Sequence, residues 1–148
     1  MIVEYGTYDD IDAWMQLVNT VHAIFPGLET LESIEEHKGT VLKFMKEQRA
    51  LCVKDQDKIV GVLLFSKKHN MICCLAVLPE YRTQGLASIL LLNALKDLDR
   101  TKNILVSTFC EGDPRGVAPR ALYKKFGFVE GELIEEYGCM NQRFILYP

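Results

Sequence analysis

The residues of this chain with the most chemistry in them run Arg82-Thr83-Gln84-Gly85-Leu86-Ala87. Just upstream, Cys74-Leu75-Ala76-Val77-Leu78 is a strand-like apolar run that ends in a turn at Pro79. Directly downstream a long apolar helix is predicted. Strand, short glycine-bearing loop and helix N-terminus, in that order, build a place for a phosphate. The first four N–H groups of a helix have no partner inside it, and the aligned peptide dipoles put roughly half a positive charge there. A glycine lets a ligand come close to the backbone, so a diphosphate can be held by amides rather than by side chains. The pattern points to a phosphate-bearing cofactor.

The elements that must position this loop follow from periodicity. Ile2 to Tyr5 reads as a short strand. Asp9 or Asp10 caps a helix in which Ile11, Trp14, Met15, Val18, Val21 and Phe25 recur at helical spacing, and Pro26-Gly27 stops it. A second amphipathic helix spans about Glu32 to Gln48, with Ile34, Val41, Phe44 and Met45 on its buried face. Strands follow at Ala50 to Lys54, Lys58 to Ser66 and Met71 to Leu78; the middle one is apolar enough to be buried on both faces. The helix from Gly85 to about Leu98 is apolar nearly all round, which predicts burial across a sheet. Asn103 to Phe109 is a strand, and Ala118 to Phe126 a short helix closed by Gly127. Phe128 to Leu133 and Gln142 to Leu146 complete a mixed α/β domain around one sheet, of about seven strands and about four helices.

With 148 residues, the chain suits one domain, 1–148, around one core. Apolar residues make up 49% and charged residues 25%, the balance of a soluble globule. A net charge of −3 leaves no basic excess to displace counterions from nucleic acid, so no nucleic-acid partner is expected. The longest near-apolar run, Leu86 to Leu92, is far short of the ~20 residues that span a bilayer, and no signal peptide precedes the first strand, so a cytoplasmic protein without membrane partners is expected. Five cysteines without C-x-x-C spacing argue against zinc or a disulfide framework, and no metal is expected. A dinucleotide-binding domain is disfavoured too, since G-x-G-x-x-G and an acid at ribose distance are both missing.

Three motifs, in order, resemble one family. Leu75-x-Val77-x-Pro79-x-Tyr81-Arg82 resembles the end of the fourth strand of the GNAT (GCN5-related N-acetyltransferase) family. Arg82-Thr83-Gln84-Gly85-Leu86-Ala87 is similar to its cofactor loop of Arg or Gln, two residues, Gly, one residue, then Gly or Ala. Ala121-Leu122-Tyr123-Lys124-Lys125-Phe126-Gly127-Phe128-Val129 resembles its fourth helix and the entry to the sixth strand. The element order fits as well, so the resemblance covers nearly the whole chain.

The resemblance implies a mixed, mostly antiparallel sheet splayed between the fourth and fifth strands, with acetyl-CoA as cosubstrate. Its pantetheine arm would lie in the splay like an extra strand, bonded by the backbone of Leu75, Ala76 and Val77. An N–H near Leu75 would face the thioester carbonyl, and losing one such donor typically costs about 2.7–4 kcal/mol of barrier. The amides of Thr83, Gln84, Gly85, Leu86 and Ala87, with Ser88 close behind, would hold the diphosphate; Arg82 either adds charge or faces solvent. Tyr123 takes the place of the tyrosine beside the coenzyme sulfur, where a phenol of pKa about 10 can protonate the departing thiolate.

Two departures stand out. Met71 to Leu78 holds no acid to act as general base, which leaves Glu111, past the fifth strand, as the candidate, or a water relay. Relatives often carry an asparagine ahead of the tyrosine where this chain has Gly116; a backbone amide or Arg120 would have to replace that contact.

The implied activity is direct acetyl transfer to a primary amine of a small molecule or peptide. Cys73, Cys74 and Cys110 near the cleft leave an acyl-cysteine route open, although no histidine is placed to activate one. Glu29, Glu32, Glu35 and Glu36 either attract the amine or simply form an acidic helix start. The alternative is a non-catalytic acyl-CoA-binding or sensor module of the same fold. Acceptor identity and oligomeric state, a homodimer included, stay open.

Overall fold

In the computed structural model, which describes residues 1–24, 28–136 and 138–148, seven strands form one sheet. The strands are β1 (Val3–Tyr5), β2 (Ala50–Asp55), β3 (Lys58–Ser66), β4 (Met71–Val77), β5 (Ile104–Phe109), β6 (Val129–Glu136) and β7 (Cys139–Leu146). Across the sheet they lie in the order β1-β2-β3-β4-β5-β7-β6. Every neighbouring pair is antiparallel except β4 and β5, which run parallel. The helices are α1 (Ile11–Val21), α2 (Leu31–Lys46), α3 (Leu86–Asp97) and α4 (Val117–Lys125). Among the described residues no helix is long and apolar enough to cross a membrane.

The continuous apolar run of β3 is buried from Ile59 to Phe65, because helices cover both of its faces. Helix α3 covers one: a Cβ on Gly61 would come within 3.1 Å of Leu90 Cδ1, so the bare backbone sets how closely helix and sheet approach. Helices α1 and α2 cover the other, with Trp14, Leu17 and Val18 of α1 and Val41 and Met45 of α2 in the core. Helix α4 packs against β5 and sets Tyr123 on Phe144 of β7, ring centroids 6.0 Å apart.

Several expectations shift. Helix α3 is not buried all round: Leu86, Leu90, Leu91, Ala94 and Leu95 face inward, while Leu92 is 47% exposed because α3 lies on the outside of the sheet. Asp10 does not cap α1 with its own side chain. It closes the 3-10 turn before the helix, taking the Thr7 N–H at 2.9 Å and pairing with Lys54 at 2.8 Å. Strands β6 and β7 run longer than their apolar residues suggest. Phe25 and the stop at Pro26-Gly27 lie outside the described residues.

Candidate functional site

The loop after β4 is built to leave its amides free. A 3-10 turn at Pro79–Tyr81 is closed by the Tyr81 N–H on the Leu78 carbonyl (2.9 Å), and the Tyr81 hydroxyl donates to Asp55 (2.6 Å), tying the turn to the β2–β3 hairpin. Beyond it Thr83 (φ +65°) and Gly85 (φ +78°) are both left-handed. For glycine that costs nothing; for a β-branched threonine it is strain of about 1–3 kcal/mol. Left-handed residues alternating with ordinary ones turn successive N–H groups to one side, the geometry of an anion-binding nest.

The first helical bond of α3 runs from the Ile89 N–H to the Gly85 carbonyl at 3.1 Å. The main-chain N–H groups of residues 83 to 88 therefore donate to no protein atom among the described residues. Residues 82 to 85 are exposed, a Cβ on Gly85 would meet nothing within 4 Å, and Leu86 is buried as the anchor beneath. A row of unpartnered donors at a helix N-terminus, with open space in front, fits a diphosphate. Arg82 stands in solvent.

Behind this loop the sheet opens. β4 and β5 share one paired position, Met71↔Leu105, and then diverge. The register of β4 on β3 slips between Leu64↔Cys74 and Phe65↔Ile72, leaving Cys73 as a bulge that bends β4 away. The Leu78 N–H bonds the Val60 carbonyl at 2.9 Å. In an antiparallel ladder hydrogen-bonded pairs alternate, so Val62↔Ala76 and Leu64↔Cys74 are bonded pairs, while Leu75 and Val77 turn their N–H and C=O groups toward the gap. This corrects the reading of Ala76, whose backbone belongs to β3. Leu75 and Val77 are left as the two residues that an extended arm could pair with.

From α4, Tyr123 packs over β7, within electrostatic reach of Cys74 on β4. Its ring is 4% exposed, tilted against Phe128 at 5.6 Å and Phe144 at 6.0 Å. Burial pushes its phenol above the usual range, and the neighbouring Cys74 of β4 adds to the rise. No protein group among the described residues hydrogen-bonds the hydroxyl. Cys74 is itself held up at about 12, by burial first and Cys73 second, so it stays a thiol and offers no nucleophile for an acyl-enzyme. Cys110 donates its thiol to the Met140 carbonyl at 3.3 Å.

The other candidates fall elsewhere. Of the two replacements left open for the asparagine contact, Arg120 is engaged as an internal brace: 7% exposed, it donates to the Phe109 carbonyl (3.0 Å), Gln142 Oε1 (2.7 Å) and Glu130 Oε1 (2.9 Å), with its guanidinium over Phe144. Gly116 explains the missing asparagine, since a Cβ there would sit 2.9 Å from Phe109 Cβ. Glu111 is exposed, in the turn after β5, on the rim of a depression of about 260 Å³ beside α4. Glu32, Glu35 and Glu36 are exposed on α2, which packs over β2 and β3 rather than at the gap. Among the described residues no cluster of three or more metal-binding side chains occurs. The strained Thr83 was invisible in the sequence, because nothing in a threonine's neighbours announces a left-handed backbone.

Comparison with known proteins agrees with this geometry. Residues 46–130 match the model of the acetyltransferase (GNAT) domain. No curated protein sequence matches the chain. Among solved structures, an acetyltransferase of the GNAT family from Bacillus cereus ATCC 10987 superposes with a TM-score of 0.74 at 21% identity, over 97% of this chain and 94% of its own. A ribosomal-protein-alanine N-acetyltransferase from Brucella melitensis gives 0.75 at 15% identity, over 98% of each chain. The PaiA N-acetyltransferase of Thermoplasma acidophilum, solved in complex with coenzyme A, gives 0.67 at 15% identity over 95% and 96%. At these identities the structures speak to the fold.

Proposed function

From the premise that this chain belongs to the GNAT acetyltransferase family, we propose that it transfers an acetyl group from acetyl-CoA directly to the primary amine of a small molecule or peptide. The observation that carries the proposal is the run of unpartnered amides at residues 83 to 88, set at the open end of the β4–β5 gap. Those donors suit a diphosphate, and the gap-facing backbone of Leu75 and Val77 suits a chain with alternating amide groups, as pantetheine has.

Bound acetyl-CoA would supply a thioester, whose carbonyl carbon forms a bond to the acceptor nitrogen as its bond to sulfur breaks. The Leu75 N–H is the fixed donor for the carbonyl oxygen, which gains charge during attack. Tyr123 keeps its proton across the working pH range, because burial holds the phenol up. It therefore donates a hydrogen bond to the sulfur throughout. Full proton transfer to a thiolate of ordinary basicity would run uphill from so weak an acid. It becomes balanced only because sulfur entering the same dry pocket is raised in proton affinity too. The proton lost by the amine leaves through Glu111 or solvent water.

An exposed Glu111 and the lack of any acid on β4 favour one competing reading, a coenzyme-binding module without turnover. The deciding experiment measures free thiol released from acetyl-CoA across a panel of amines, alongside coenzyme binding by calorimetry. Thiol release with at least one amine is expected. Tight binding with no release on any amine supports the module, and absence of binding ends both readings.

A further inference from the structure

The open end of the gap is described above; its closed end depends on one side chain. Asn70 is the residue before β4, buried at 9% exposure and left-handed at φ +51°. Its Nδ2 donates to the Asp99 carbonyl (2.9 Å) and to the Asn103 carbonyl (3.0 Å), and its Oδ1 accepts the Asp99 N–H (2.9 Å). Its own carbonyl accepts the Leu105 N–H at 3.1 Å. That last bond sits at the single β4–β5 pair, Met71↔Leu105.

These four bonds close a triangle. β4 runs outward to the amide loop, α3 runs back, and β5 runs outward again. Asn70 ties the start of β4 to the turn that ends α3 and begins β5. Both walls of the gap, and the helix whose N-terminus faces the diphosphate, therefore meet at this one residue. Asparagine suits the post on two counts. It tolerates the left-handed region, and its amide offers two donors and an acceptor to three backbone groups, of which the Asp99 carbonyl has a second, longer partner in the Lys102 N–H (3.4 Å). Glycine would keep the turn and lose three bonds. Aspartate would keep the turn and the accepted bond but aim a carboxylate at two carbonyl oxygens.

We infer that Asn70 is a positioning residue for the coenzyme: it fixes the apex of the β4–β5 gap, so that the Leu75 and Val77 backbone and the amides of 83 to 88 are held at one spacing before any ligand arrives. This rests on the reading of the gap as the coenzyme site. A ligand that finds its walls already ordered loses less entropy on binding, so loosening the apex should show as lost affinity more than as lost chemistry.

The test compares Asn70→Gly with Val41→Ala, a core truncation in α2 far from the gap, at a temperature where both are folded. Coenzyme A binding is read by calorimetry, KM for acetyl-CoA and kcat by thiol release, and hydrogen exchange at the Leu105 amide by mass spectrometry. Asn70→Gly is expected to raise the coenzyme Kd and the acetyl-CoA KM at least tenfold, to change kcat less than threefold, and to expose the Leu105 amide. Val41→Ala should leave Kd within twofold even at an equal loss of melting temperature. Should Asn70→Gly fail to fold, Asn70→Asp serves in its place, with a Kd at least fivefold weaker than wild type and the same exchange at Leu105. Wild-type-like Kd in a folded Asn70 variant, or equal losses in Val41→Ala, overturns the inference while the function stands. A wild type that does not bind coenzyme overturns the function itself.

Discussion

β5 has two edges that the molecule treats differently. Along one, all six residues pair with β7, from Ile104↔Leu146 to Phe109↔Asn141. Along the other, pairing with β4 stops after Met71↔Leu105. The zipped edge is braced through Arg120, which joins Gln142 of β7 to Glu130 of β6, while the open edge faces backbone groups of Leu75 and Val77 that nothing among the described residues pairs with. Free N–H and C=O groups are tolerable in water and costly once apolar matter covers them, so whatever fills the gap must bring its own donors and acceptors. On the proposed function, stability and binding are assigned to opposite sides of one strand. Substitutions on the open side should change binding or rate at constant fold. Those on the zipped side should change stability at constant affinity.

The sharpest way to break that division is at the mouth of the open side. Gly85→Glu puts a Cβ on a residue at φ +78° and a negative charge in front of the free amides. Coenzyme binding is expected to fall by more than a thousandfold, below detection by calorimetry. Unchanged binding would mean that the amides of 83 to 88 hold no diphosphate. Next in size is a pair of prolines in β4. Leu75→Pro removes a gap-facing N–H, so it should lower kcat by the roughly 2.7–4 kcal/mol expected of a lost oxyanion donor, with a modest loss of melting temperature. Ala76→Pro removes a ladder N–H facing β3 and should unfold the domain instead. Reversed outcomes for the two prolines would show that the alternation along β4 has been assigned to the wrong residues.

Tyr123→Phe tests the side chain proposed to meet the coenzyme sulfur. The ring and its packing on Phe128 and Phe144 are kept, so affinity should stay within twofold while kcat drops by about a hundredfold, the lower bound for a lost general acid. A rate equal to wild type would leave the sulfur to be protonated by solvent.

Much of this was legible in advance, and the exceptions have physical causes. β3 is legible to the residue because a long apolar run sits between two turns, at Gln56 (φ +56°) and at Asn70. The amide loop was legible because its signal is local: proline, glycine and the start of a helix within a few residues. The splay was not readable from periodicity, since Cys73 and Cys74 are the same residue type and nothing in their side chains says which is the bulge; only the resemblance supplied it. The apolar signal of β6 ends at Leu133, because Glu130, Glu132, Glu135 and Glu136 break any apolar alternation in an edge strand that water can solvate. The bracing role of Arg120 is not readable from the sequence, because its partners lie 10, 11 and 22 residues away, at Glu130, Phe109 and Gln142, and no window along the chain brings them together.

The zipped side offers the smallest effect and the one with a sign fixed in advance. Glu130 on β6 accepts from Lys124 at 2.7 Å and from Arg120 at 2.9 Å. The Lys124 hydrogen bond is the largest cause that holds its carboxyl below the ordinary range, with Arg120 contributing charge. A carboxyl lowered by folding binds its proton more tightly in the unfolded chain. Its contribution is therefore present in full above the ordinary value of about 4.3 and is lost as pH falls through the lower, folded value. Glu130→Gln should accordingly melt a few degrees below wild type at pH 7, and the difference should shrink to nothing as the pH is taken from 5 toward 3. Coenzyme affinity at pH 7 should not move, because Glu130 lies on β6, beyond the edge of β5 that is already paired with β7. A loss of affinity in Glu130→Gln at constant melting temperature would erase the line between the two edges, since the brace would then be acting across the strand on the open side.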